Sequence, residues 1–104
     1  MADPSTQGHH PVLRVGAKTD VKDLAVAVAV ALAGQQEVQL RAVGAAAVNQ
    51  AVKAVAIAGA LTDPDGRELC VTPCFSTVEM PDAVVTALVL DVRQHPSHRS
   101  QCGS

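Results

Sequence analysis

Residues 24–32 read LAVAVAVAL, and what this run becomes decides the topology of the whole chain. Its strict alternation fits a strand buried on one face. The same run also fits a helix, because Val21, Leu24, Ala25, Val28 and Leu32 fall on one side at helical spacing. The flanking residues select the helix. Thr19 and Asp20 precede it as a cap, and Asp23 suits the positive helix start. Alanine is a strong helix former, Gly34 can close the far end, and the run is long for a strand. This choice leaves Val26 and Val30 on the opposite face, either as exposed valines or as part of a subunit contact.

The other elements follow from local signals. Val12 to Val15 is a short apolar strand ended by Gly16, and Glu37 to Val43 (EVQLRAV) alternates as a strand up to Gly44. A second helix runs from there to about Ala60. Pro64-Asp65-Gly66 marks a turn, Leu69 to Thr77 a strand, Met80-Pro81-Asp82 another turn, and Val84 to Arg93 the last strand. Pro73 lies inside the third strand and cannot donate a ladder hydrogen bond, which places that strand at an edge or bulge. The order is β-α-β-α-β-β, an α/β domain over residues 11–93 with no internal repeat. Residues 1–10 and 94–104 are polar and aperiodic and read as disordered tails.

Composition limits the core and the partners. Phe75 is the one aromatic residue, so valine, alanine and leucine must fill the interior. Such a core is thin, and burial across a subunit interface would add apolar area. A formal charge of −2 is not that of a chain held to nucleic acid by bulk charge. The first residues lack a charged start followed by an apolar run, and Leu24 to Gln36 is too short to span a bilayer. A cytoplasmic protein without a membrane partner is the expectation.

The segment 44–60, GAAAVNQAVKAVAIAGA, carries a polar interruption. On a helical wheel Asn49, Gln50 and Lys53 share one arc within two turns, and Val48, Val52 and Val55 form the expected buried stripe. Ile57 lies in line with the polar arc, where a monomer would expose it and a dimer could bury it. The arc is either a solvated face or a contact surface. The glycine turn before it could hold a phosphate, although no Gly-Lys-Ser/Thr follows.

The catalytic and metal readings are weak. No histidine lies between residues 11 and 93, so neither Cys70 nor Cys74 has a neighbouring base, and buried strand cysteines are the expectation. The two would sit about 13 Å apart on one strand, too far to pair. Asp63 and Asp65 flank a turn proline, which suits aspartate on local grounds. His9, His10, His95, His98 and Cys102 are metal-ligand types, but they lie in the tails, with nothing to fix a geometry. Neither enzyme activity nor a cofactor is expected.

The segments VLRVGAKTDV, VQLRAVGAAAVNQAVKAVAIA and LCVTPCFSTVEM together resemble the stage V sporulation protein S (SpoVS) family of bacterial proteins. The likeness spans roughly residues 12–93. It implies an Alba-like two-layer fold, a mixed sheet with two helices on one face, also similar to the carboxy-terminal domain of a translation initiation factor. It further implies a dimer or higher homo-oligomer, no enzyme activity, and a regulatory role through binding DNA or RNA. By position the resemblance assigns nucleic-acid contacts to Lys18 in GAKTD and to Asn49, Gln50 and Lys53 in VNQAVK; Lys22 and Arg41 are further basic candidates beside them, not carried over from the family. There are departures. Ala46 stands where a second glycine is usual, Arg41 where a neutral amide is common, and Val85 where a polar or basic residue precedes Thr86. The alternative is an assembly module that binds no nucleic acid and associates through Val26, Val30 and Ile57.

Overall fold

The computed structural model describes residues 11–34, 37–62 and 67–96. Its elements are β1 (Val12–Val15), α1 (Val21–Gly34), β2 (Glu37–Ala42), α2 (Ala45–Thr62), β3 (Arg67–Glu79) and β4 (Val84–Pro96). The order is the β-α-β-α-β-β read from the sequence. The four strands form one sheet in the order β1-β2-β4-β3. β1 and β2 are parallel, joined by α1, while β2–β4 and β4–β3 are antiparallel. The Pro64-Asp65-Gly66 turn, His9, His10, His98 and Cys102 lie outside the described residues.

The alternating segment is a helix. The Asp23 amide donates to Asp20 Oδ1 at 2.9 Å, which makes Asp20 the cap and satisfies one orphan donor of the first turn. Leu24, Ala25, Val28 and Leu32 are buried, Val21 packs against the same core, and Val26 and Val30 face outward. The tertiary context thus uses the period of 3.6, and the strand-like alternation is incidental. Gly34 is the last helical residue, but it does not take up the left-handed backbone. Among the described residues only Gly44 does, with φ at 94°, where β2 turns into α2.

Both helices pack on one side of the sheet. Leu13 and Val15 of β1, Val38, Leu40 and Ala42 of β2, and Leu88, Leu90 and Val92 of β4 share that side by register. The stripe that α2 sends into this core differs from the expected valines. It consists of Ala47, Ala51, Ala54 and Ala58, closed by Thr62, while Val48 and Val55 are half-buried flanks and Val52 is 53% exposed. The reason is distance: methyl-sized side chains let α2 lie close to both the sheet and α1, and the branched residues are displaced to its edges. An Ala54→Leu substitution is therefore expected to overpack this contact and lower stability by about 1–3 kcal/mol. Urea unfolding would measure it as a lower midpoint at unchanged slope.

Three further differences follow from the sheet. β3 and β4 are longer than their apolar runs suggested, pairing from Arg67↔Pro96 to Glu79↔Val84. Gln94, read as tail, belongs to β4, and its Nε2 donates to the Leu32 carbonyl at 2.6 Å, satisfying an open carbonyl near the end of α1. Cys70 and Cys74 are exposed rather than buried, because β3 is the edge strand and no layer covers the sheet face they occupy. The same edge position accommodates Pro73.

Candidate nucleic-acid interface

The strands bring three connections to one end of the sheet. These are the turn after β1, the Gly44 turn before α2, and the β3–β4 hairpin at Met80–Ala83. The first turn is tight. The Thr19 amide donates to the Gly16 carbonyl at 3.2 Å, and the Gly16 amide donates to Thr19 Oγ1 at 2.7 Å. Lys18 sits exposed at its tip, and Lys22 is exposed on the first turn of α1.

The polar residues of α2 divide in two. Asn49 and Lys53 point away from the alanine stripe and are exposed. Gln50 is half-buried and has a structural partner: its Nε2 donates to the Thr19 carbonyl at 2.9 Å. This bond joins the start of α2 to the lysine-bearing turn, across 31 positions of sequence. Lys18 and Asn49 are the exposed sequence neighbours of the two bonded residues. A sequence reading sees Gln50 only as part of the polar arc. Its geometry makes it the strut of that arc, and the bond leaves one of its two amide hydrogens and its oxygen for a ligand.

Gln50→Ala should therefore cost about 1 kcal/mol of stability and leave the Thr19 carbonyl without this partner. It should also raise hydrogen exchange at Lys18 and Thr19 beyond what the global loss explains, since the turn loses its tie to α2.

Arg41 does not join this surface. By register it lies on the sheet face opposite the helices, beside Arg14 of β1 and Val89 of β4. Ile57 also departs from expectation: its own chain half-buries it against the core, between α2 and its neighbours. The structure exposes a different apolar surface. Phe75, the lone aromatic residue, is 79% exposed on β3, on the helix side of the sheet but beyond the reach of either helix. Val71 on the same strand and Val84 at the start of β4 share that side and are also exposed. The flank of α2 turned away from Gln50 adds Val52, with Val48 and Val55 half-exposed beside it. The signal for this surface was Phe75 itself, a single aromatic residue on a strand whose proline marked it as an edge.

No group of three or more His, Cys, Asp or Glu residues that could hold a metal ion occurs among the described residues. Among the described residues one helix, α2, is long and apolar enough by composition to cross a membrane. Its alanine stripe is instead the centre of the domain core.

Residues 11–95 match the family described as stage V sporulation protein S (SpoVS). The chain belongs to the SpoVS family. The match spans every described element and ends one residue short of the end of β4, so the SpoVS domain includes Gln94 and its bond to α1. Among solved structures, Alba from Thermoplasma volcanium has a similar fold, with a TM-score of 0.55 and 15% sequence identity over 80% of this chain and 96% of that chain. At that identity the likeness concerns the backbone arrangement, and the SpoVS domain is Alba-like in that sense.

Proposed function

We propose that this SpoVS domain is a cytoplasmic nucleic-acid-binding protein, acting as a homodimer or higher homo-oligomer in gene regulation or chromosome organisation, with sporulation as a setting consistent with the family. The observation that supports the reading is the Gln50–Thr19 hydrogen bond, which ties the start of α2 to the turn that carries Lys18; Lys22, Asn49 and Lys53 are exposed on the adjoining turns of α1 and α2. Lys18, Lys22 and Lys53 would meet phosphates as point charges, and the amide of Asn49 would bond phosphate oxygens or base edges. Asp20 and Asp23 lie on the same turn of chain and reduce the local positive charge. Binding therefore draws on few net cations per subunit, and a dimer presents two such sets. A titration against double- and single-stranded DNA and RNA across salt tests this. With each phosphate contributing a slope of roughly 0.9 on duplex DNA, the dependence should be shallow.

The apolar surface around Phe75 supports self-association, and a second copy of the chain is the occupant proposed for it. A thin core and an exposed aromatic residue both favour adding buried area between subunits. The same surface, with the net charge of −2, also favours the second reading, an assembly module that binds no nucleic acid. Binding in the salt titration separates the two. Val26, Val30 and Ile57 are the alternative contact, with Ile57 already half-buried by its own chain.

A further inference from the structure

The sheet face without helices carries a second feature at the same end of the domain. There a cleft of about 430 Å³ opens between the turn at Gly16 and the β3–β4 hairpin. Arg14, Arg41, Val43, Val78, Glu79 and Met80 line it. Its volume lies in the range of small-ligand sites. Arg14 and Arg41 are direct partners on adjacent parallel strands, so their side chains leave the same face about 4.8 Å apart at the backbone. Two arginines at paired positions on one face repel one another, and an anion between them would relieve that. Neither forms an ion pair with a carboxylate among the described residues. Glu79 belongs to the lining, but as the partner of Val84 its side chain leaves the helix side of β3, and it pairs with neither arginine; Asp91, diagonal to Arg41 on the same face, meets Arg93 through Oδ2 at 3.4 Å and keeps a buried Oδ1 without a partner. Arg41 Nε is buried and has no hydrogen-bond partner. A buried donor left open in this way costs stability, and a ligand acceptor would remove that cost.

The rest of the lining has a different character. Val43, Val78 and Met80 give apolar walls, and Met80 belongs to a hairpin turn closed by paired backbone bonds to Ala83 of 2.7 and 3.3 Å. Methionine is an adaptable surface for a flat ring. A doubly charged head between two arginines and an apolar or aromatic body against valine and methionine together define one ligand class. We propose that this cleft binds a nucleoside monophosphate, with its phosphate between Arg14 and Arg41 and its base against Val43, Val78 and Met80. The phosphate group can belong to a free nucleotide or to the 5′ end of a strand. This inference does not rest on the nucleic-acid reading of the lysine surface, which lies on the helix side of the sheet.

The test is calorimetric titration of the full chain with adenosine and uridine 5′-monophosphates, adenosine, and inorganic phosphate. The monophosphates should bind, and adenosine and inorganic phosphate should each bind at least about tenfold more weakly, since each satisfies only half of the cleft. Arg41→Gln and Arg14→Gln should each weaken the monophosphates by about tenfold or more. Lys18→Glu with Lys53→Glu should leave this binding unchanged, which keeps its failure distinct from failure of the lysine surface. Displacement of the mononucleotide by a 5′-phosphorylated oligonucleotide, but not by its unphosphorylated form, would assign the cleft to strand ends. Retention of the mononucleotide would assign it to the free compound. Absence of monophosphate binding overturns the proposal. So does equal binding of inorganic phosphate, or an unchanged affinity in folded Arg41→Gln.

Discussion

Replacing Phe75 by glutamate is expected to weaken self-association by at least about tenfold while the domain stays folded. The fold should survive because Phe75 is 79% exposed within its own chain and contributes little to the core. The association should not, because an aromatic ring at the centre of a buried contact is where binding energy concentrates, and a carboxylate there would be desolvated without a partner. The proposed contact is a symmetric one. β3 is the edge strand, and its helix side carries Val71 and Phe75 beside the exposed valine flank of α2. In a two-fold contact each of these residues meets the same patch on the other subunit. Sedimentation velocity over a range of concentrations would show the parent as an oligomer and Phe75→Glu shifted to monomer. Val30→Glu, made in parallel, separates this surface from the outer face of α1, where Val30 is 67% exposed. A concentration-independent monomer for the parent would remove the proposal, and dissociation by Val30→Glu alone would move the contact to α1.

The fold was readable because its deciding signals are local. The Asp20 cap and the glycine turns separate helix from strand without reference to distant contacts, and Pro73 marks the edge strand. Residue size, in contrast, misled the reading of α2. Hydrophobicity favours valine for the buried stripe, and the close approach of α2 to its neighbours, a property of the whole domain, gives that place to alanine. Exposure of Cys70 and Cys74 was hidden for a related reason: an apolar strand does not say which of its faces receives a covering layer. At the candidate site, wheel geometry located Asn49 and Lys53 correctly on the outward side of α2. It could not show that Gln50 reaches back to Thr19, because that bond depends on how α1 and α2 pack. Arg41 was separable from the lysines by strand alternation, which sets it on the face opposite Leu40 and Ala42 and so away from the helices.

The remaining expectation is the largest. Changing Lys18 and Lys53 together to glutamate should abolish nucleic-acid binding. Both side chains are exposed, and neither takes part in a described ion pair or core contact, so the change should leave stability within about 0.5 kcal/mol of the parent. Its effect on binding is amplified because each substitution removes an attraction to phosphate and adds a repulsion. The surface holds few cations, so the reversal leaves Lys22 facing Asp20, Asp23 and two new carboxylates. In a dimer the change occurs twice.

The most direct measurement is one titration series, parent and double variant side by side, against duplex and single-stranded DNA and RNA from low to physiological salt. The account predicts that the parent binds at low salt, loses affinity with a shallow slope, and that the folded double variant shows no binding at any salt. Equal binding by the two proteins would place the site elsewhere. Absence of binding by the parent at low salt would leave the arc of Asn49, Gln50 and Lys53 as the solvated side of a helix and the domain as an assembly module.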